Sequence, residues 1–120
     1  MTTRFRFSEP KKPVVAVSET GQKIPIGDGS PVTMNVGDNV TAASNTTITI
    51  RCPVNGVPTP TVTWEKNGVE IIPGDDIMIT RDNTLVIVAA TSEDNAQYIC
   101  RARGLTGTDS ASSTIEIIGK

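Results

Sequence analysis

Histidine is absent from the chain, and with it go the commonest general base, His-based zinc sites and the Ser/His/Asp or Cys/His arrangements of nucleophilic catalysis. Cysteine occurs twice, too few for a structural zinc site, which normally takes four Cys or His ligands. A surplus of one charge is also missing. The formal net charge is -2 over 120 residues, with a pI near 5.0, whereas nucleic-acid-binding domains usually carry a basic excess. No stretch approaches the ~18 consecutive apolar residues of a membrane-spanning helix. Met1 is followed by Thr2-Thr3-Arg4-Phe5-Arg6-Phe7 with no apolar run of the signal-peptide kind, so a secreted protein with this sequence would be an excised piece of a longer precursor. These absences point away from an enzyme, and no metal, cofactor, nucleic acid or membrane insertion is expected.

Val, Ile and Thr are abundant instead, and their branched side chains suit strands. No stretch sustains the i, i+3, i+4, i+7 apolar pattern of a helix. Short alternating runs recur, separated by Gly, Pro, Asn and Asp clusters. Thr46 to Cys52 sets Ile48, Ile50 and Cys52 on one face and Thr47, Thr49 and Arg51 on the other. Pro60 to Glu65 turns Val62 and Trp64 inward, and Asp76 to Thr80 alternates through Ile77 and Ile79. Leu85 and Ile87 share a face, as do Tyr98, Cys100 and Ala102, and a last run carries Ile115 and Ile117. Short strands with a turn between each pair predict an all-β antiparallel sandwich or barrel. A chain of this length buries roughly two thirds of its unfolded surface in one core.

The cysteines favour the sandwich. Cys52 and Cys100 each fall at an inward strand position, and Trp64 follows the first. A disulfide between two sheets with an indole packed on it fits that spacing, and closing so long a loop stabilises a fold by about 4 kcal/mol on the chain-entropy model. Tyr98, two residues before the second cysteine, is placed to turn its hydroxyl back onto upstream backbone as a tyrosine corner. The set Cys52, Trp64, Leu85-x-Ile87, Asp94-x-Ala96-x-Tyr98-x-Cys100 resembles an immunoglobulin-superfamily domain, most closely the intermediate or I set. Pro53-Val54-Asn55-Gly56-Val57-Pro58-Thr59-Pro60 resembles the B–C loop of such modules, and Trp64-Glu65-Lys66-Asn67-Gly68 their C-strand ending. The last strand lacks the Phe/Trp-Gly-x-Gly bulge of antigen-receptor variable domains.

The resemblance implies a Greek-key β-sandwich of two antiparallel sheets with one inter-sheet disulfide, covering residues 30–118. Residues 1–12 read as linker, which fits Arg4-Phe5-Arg6-Phe7 better than a membrane or nucleic-acid contact does. Residues 13–29 are surplus to such a domain, yet Val14-Val15-Ala16-Val17 and Ile24-Pro25-Ile26 look like strand material, an extra edge strand or a tether.

Asp75-Asp76 and Glu93-Asp94 are carboxylate pairs, but both sit in turns without calcium-loop spacing, and Asp94 reads as a structural hydrogen-bonder. Asn39-Val40-Thr41 and Asn45-Thr46-Thr47 are glycosylation sequons. For a protein partner, alternation exposes Ile99, Arg101 and Arg103 on one face, a mixed basic and apolar patch of the kind interfaces favour, with Leu105 at the tip of the next loop. The plain alternative is that Arg101 pairs with Glu65 across neighbouring strands. The resemblance implies an extracellular, non-catalytic spacer and docking module within a longer matrix or adhesion protein, like those of hemicentin-, papilin- or ADAMTS-like proteins. The alternatives are an intracellular titin-like structural module, where the reducing cytosol keeps cysteines apart, and the accessory domain of a receptor.

Overall fold

The computed structural model describes residues 11–18, 23–26 and 30–118. The Arg4-Phe5-Arg6-Phe7 run and nearly all of the segment read as linker lie outside the described residues. In chain order the strands are β1 (Lys11–Val15), β2 (Lys23–Ile26), β3 (Val32–Asn35), β4 (Asn39–Ala43), β5 (Thr46–Arg51) and β6 (Val54–Val57). There follow β7 (Thr61–Lys66), β8 (Val69–Glu70), β9 (Ile77–Ile79), β10 (Leu85–Ala90), β11 (Ala96–Gly104) and β12 (Gly107–Ile118). A 3-10 turn, Ser92–Asp94, precedes β11.

Two sheets face each other. One has the order β3-β5-β10-β9, the other β2-β4-β12-β11-β7-β8, and β1 with β6 forms a separate two-stranded ribbon. Period-two alternation decides which side of each strand meets the partner sheet. On β5, Thr46, Ile48 and Ile50 are buried while the residues between them are not. β10 answers with Leu85 and Ile87, and β11 with Tyr98, Cys100 and Ala102, all fully buried. Each large aliphatic side chain enclosed this way stabilises the sandwich by about 1.5–3 kcal/mol.

The pairings along the middle of both sheets are antiparallel, whereas β2, β3 and β4 join theirs in parallel. Parallel neighbours cannot be linked by a tight hairpin. The chain meets this requirement by alternating between sheets: β3 runs beside β5, reverses at Val36-Gly37-Asp38, and returns in the other sheet as β4 beside β12. Gly37 makes the reversal with φ 107, a conformation that side chains rarely adopt, and its N–H donates to Ser112 O (3.1 Å) and Ser113 Oγ (3.0 Å).

The B–C segment departs from a plain loop. Val54–Val57 forms β6, which pairs antiparallel with β1 through Lys11 opposite Val57, Val14 opposite Asn55 and Val15 opposite Val54. Asn55-Gly56 inside a Pro-bounded stretch signals a turn in sequence. The N-terminal strand arriving beside it supplies the hydrogen-bonding partner that makes it extended.

Candidate interaction surface

The residues that define the core stand together. Cys52, just past β5, is bonded to Cys100 of β11 across the two sheets, with a Cα–Cα distance of 6.4 Å. Trp64 lies directly opposite Cys100 in the β7–β11 ladder, is fully buried, and donates from Nε1 to Asn83 O at 2.9 Å. Tyr98 is fully buried and donates its hydroxyl to Asp94 O at 2.6 Å. Burial pushes the Tyr98 phenol well above its ordinary value of 10.0, and the Asp94 charge adds to the shift. Asp94 is only half-buried. Its carboxylate accepts from Thr91 N at 2.8 Å while Thr91 Oγ1 caps the same turn, a capping box that holds the carbonyl Tyr98 uses.

The outward face of the β7–β11–β12 region is built from three rows. Glu65, Ile99 and Ser112 form one, Thr63, Arg101 and Ser110 the next, and Thr61, Arg103 and Thr108 the third. Arg101 reaches diagonally to Glu65, donating from Nε to Oε2 at 2.9 Å and from a terminal nitrogen to Oε1 at 3.3 Å. This forked bond holds the Glu65 carboxyl below its ordinary 4.5, helped by the charges of Arg101 and Arg103, and raises the Arg101 guanidinium in turn. Ile99, opposite Glu65 in the ladder, is half-buried and Arg103 is exposed. Leu105, at the tip of the β11–β12 turn, is 81% exposed. The four side chains thus run in line from mid-sheet to the loop tip, with Arg101 engaged inside the sheet and Arg103 and Leu105 presented to solvent.

The two sequons differ in setting. Asn39 is half-buried in β4 and its Oδ1 accepts from Thr114 N at 2.8 Å. Asn45 is exposed, in the turn between β4 and β5, with φ 73. No group of three His, Cys, Asp or Glu side chains that could hold a metal occurs among the described residues. Two residues with defined roles escaped the sequence reading. Asp109 of β12 accepts from Val15 N at 2.8 Å, and Asn95 Oδ1 accepts from Ile117 N at 2.5 Å. The only sequence signal for Asp109 is a charge opposite the buried Ala102, on the inward side of its ladder.

Residues 31–117 match the immunoglobulin I-set domain model. The chain belongs to the I-set family. That family is non-catalytic, and its members serve in multidomain adhesion and matrix proteins and in receptors. The I-set domain is 35% identical over 92 residues to human (Homo sapiens) ADAMTS-like protein 1, a match covering 76% of this chain and 5% of that protein. It is 33% identical over 91 residues to vascular endothelial growth factor receptor 2 of Danio rerio, covering 75% of this chain and 7% of the receptor. The chain therefore corresponds to a small fraction of the length of these relatives. Among solved structures, titin domain M7 superposes with a TM-score of 0.70 at 21% identity, covering 94% of this chain and 100% of that one, a likeness of fold.

Proposed function

We propose that this I-set domain is an extracellular spacer and protein-docking module of a larger matrix or adhesion protein, acting without catalysis. The observation that carries the reading is the Cys52–Cys100 bond, enclosed beside Trp64 with both cysteines at 2% exposure or less. Disulfides persist in oxidising compartments and are rare in the cytosol. The similarity to ADAMTS-like protein 1 supports the matrix reading. Residues 30–118 constitute the I-set domain proper, and residues 13–29 an N-terminal extension of it. Asn45 is the glycosylation acceptor, because it is exposed in a turn, while Asn39 already uses its amide oxygen within the sheet. The docking surface is the line of Ile99, Arg101, Arg103 and Leu105, in which Arg103 and Leu105 make the contacts and Arg101 keeps the face flat by pairing with Glu65.

Expression in a secretory host tests the reading. The purified protein is expected to lose one glycan's mass on glycosidase treatment, to keep it in an Asn39→Gln variant and to lose the shift in Asn45→Gln. Its two cysteines are expected to resist alkylation until reduced. The second reading, an intracellular titin-like structural module, is supported by the fold likeness to titin M7. A reduced form that melts at the same temperature as the oxidised one would favour it.

A further inference from the structure

The end of the sandwich that carries the β6 segment and the β11–β12 turn is shaped to receive an extended peptide. Pro13 of β1 is among the side chains less than 2% exposed, and Val15 is 5% exposed, although both belong to a segment preceding the domain proper. The room for Pro13 comes from missing side chains. A methyl group on Gly104 would stand 2.8 Å from Pro13 Cγ, while one on Gly56 would meet Pro60 Cγ first, at 2.7 Å, and the Pro13 backbone at Cα, 3.2 Å away. Neither glycine has a φ in the left-handed range, so neither is required by its own backbone. The missing Cβ of Gly104 provides space for the proline ring, and that of Gly56 lets Pro60 and the backbone of the arriving strand pass close by. Gly107, which its own φ of 153 already favours, also leaves the Lys12 stem room to lie across the turn, its Cε 3.2 Å from where a Cβ would be.

Polar groups then fix the register. Val15 N donates to the Asp109 carboxylate at 2.8 Å, Ala16 N to Pro53 O at 2.9 Å and Ser18 N to Val36 O at 2.9 Å. Asp109 sits opposite Ala102, on the inward side of its ladder, where a carboxylate facing the sandwich end requires a donor. The arriving strand provides one. Proline suits this ligand, since it fixes φ and has no N–H to leave unpaired on an edge.

We infer that this end of the domain is a strand-acceptor site for an extended peptide containing proline followed by two β-branched residues, and that residues 12–18 of this same chain are its resident ligand. The mode is strand addition to the edge of β6, with main-chain bonds supplying affinity and the space beside Gly104 supplying selectivity for the proline ring. A partner's segment enters only when the resident strand leaves. The inference stands apart from the extracellular reading, because it depends on geometry that a cytosolic protein would share.

The test uses the full chain with a specific protease site inserted between Thr20 and Gly21. After cleavage, the fragment bearing residues 1–20 is expected to remain with the domain on gel filtration. A fluorescent peptide of residues 9–18 is expected to exchange with it, and peptides with Pro13→Asp or Val15→Asp to bind roughly tenfold or more weakly. A Gly104→Val domain is expected to release the fragment, and the peptide variants keep the question decidable if that domain misfolds. Filling of the site by a second copy's strand, seen as a dimer whose fragments exchange between chains, would support the same acceptor. Immediate release of the fragment with no peptide binding up to about 1 mM would overturn the proposal, and so would equal binding of the native and Pro13→Asp peptides.

Discussion

Tyr98 offers a measurement in which one oxygen atom is the only variable. Tyr98→Phe keeps the ring in its fully buried position and removes the hydroxyl that donates to Asp94 O at 2.6 Å. A typical hydrogen bond contributes about 0.5–1.5 kcal/mol net, and a buried acceptor left unsatisfied costs about 1–3 kcal/mol. The bond is part-buried and Asp94 itself half-buried, so the lower end of the second range applies. The expected loss is about 1–1.5 kcal/mol, a fall in Tm of roughly 5 °C for a domain of this size. Urea denaturation of both proteins at pH 7 measures it directly. Because Tyr98 is the only tyrosine, its ultraviolet titration reports a single group. Burial raises its pKa in the folded state, so the folded protein holds the phenol proton more tightly than the unfolded chain does. The associated stability is therefore fully present below the unfolded value near 10.0 and is lost progressively as the pH rises above it. Wild type is expected to lose more stability than Tyr98→Phe above that pH, with phenolate absorbance appearing only as the fold is lost. A phenol that titrates near pH 10 while circular dichroism stays native would refute the reasoning, as would a Tyr98→Phe protein within 0.3 kcal/mol, roughly, of wild type.

Three further outcomes follow from other parts of the sandwich. Replacing both Cys52 and Cys100 by alanine is expected to cost about 4 kcal/mol through the freed unfolded chain, read as a lower urea midpoint with a steeper slope, because the uncrosslinked chain exposes more surface on unfolding. Thr46 is fully buried and its hydroxyl has no hydrogen-bond partner among the described residues. Thr46→Val is thus expected to raise stability by about 1 kcal/mol, measured by thermal melting, and a loss would mean the hydroxyl is satisfied. The Glu65 carboxyl, held below 4.5 by Arg101, contributes stability present above its unfolded pKa and lost as the pH falls through the folded one. Glu65→Gln should therefore narrow the stability difference between pH 7 and acid, and identical acid profiles for the two proteins would exclude a role for the pair.

The middle of the molecule was readable from alternation alone, because each of its strands buries one face. Ile48 and Ile50, Leu85 and Ile87, and Tyr98 and Cys100 announce their sheets by period two, and the cysteine pair with Trp64 sets which sheets face each other. The periphery lacks that signal. The first half of β12, Gly107 to Ser113, offers no large apolar side chain, so its pairing with β11 follows from the ladder and not from its own pattern. β6 and β1 are extended because each completes the other, a relation between distant segments that no local window contains. For the outward face, alternation locates Ile99, Arg101 and Arg103, but the diagonal fork from Arg101 to Glu65 depends on register between β7 and β11. A partner leaves no periodic trace at all.

The way the sheets end bears on how such domains survive at high concentration. An open sheet offers unpaired backbone groups at its rim, a template on which other chains can assemble into aggregates. Here the rims are short: β8 is two residues long, β9 three and β3 four, all too brief to nucleate much pairing. The rim that β4 would present is instead taken by β2, four residues long, in which Pro25 has no backbone N–H to offer. The β2 strand therefore acts as a seam over β4, and modules of this kind strung closely together would meet one another along that side with only four residues of free strand edge.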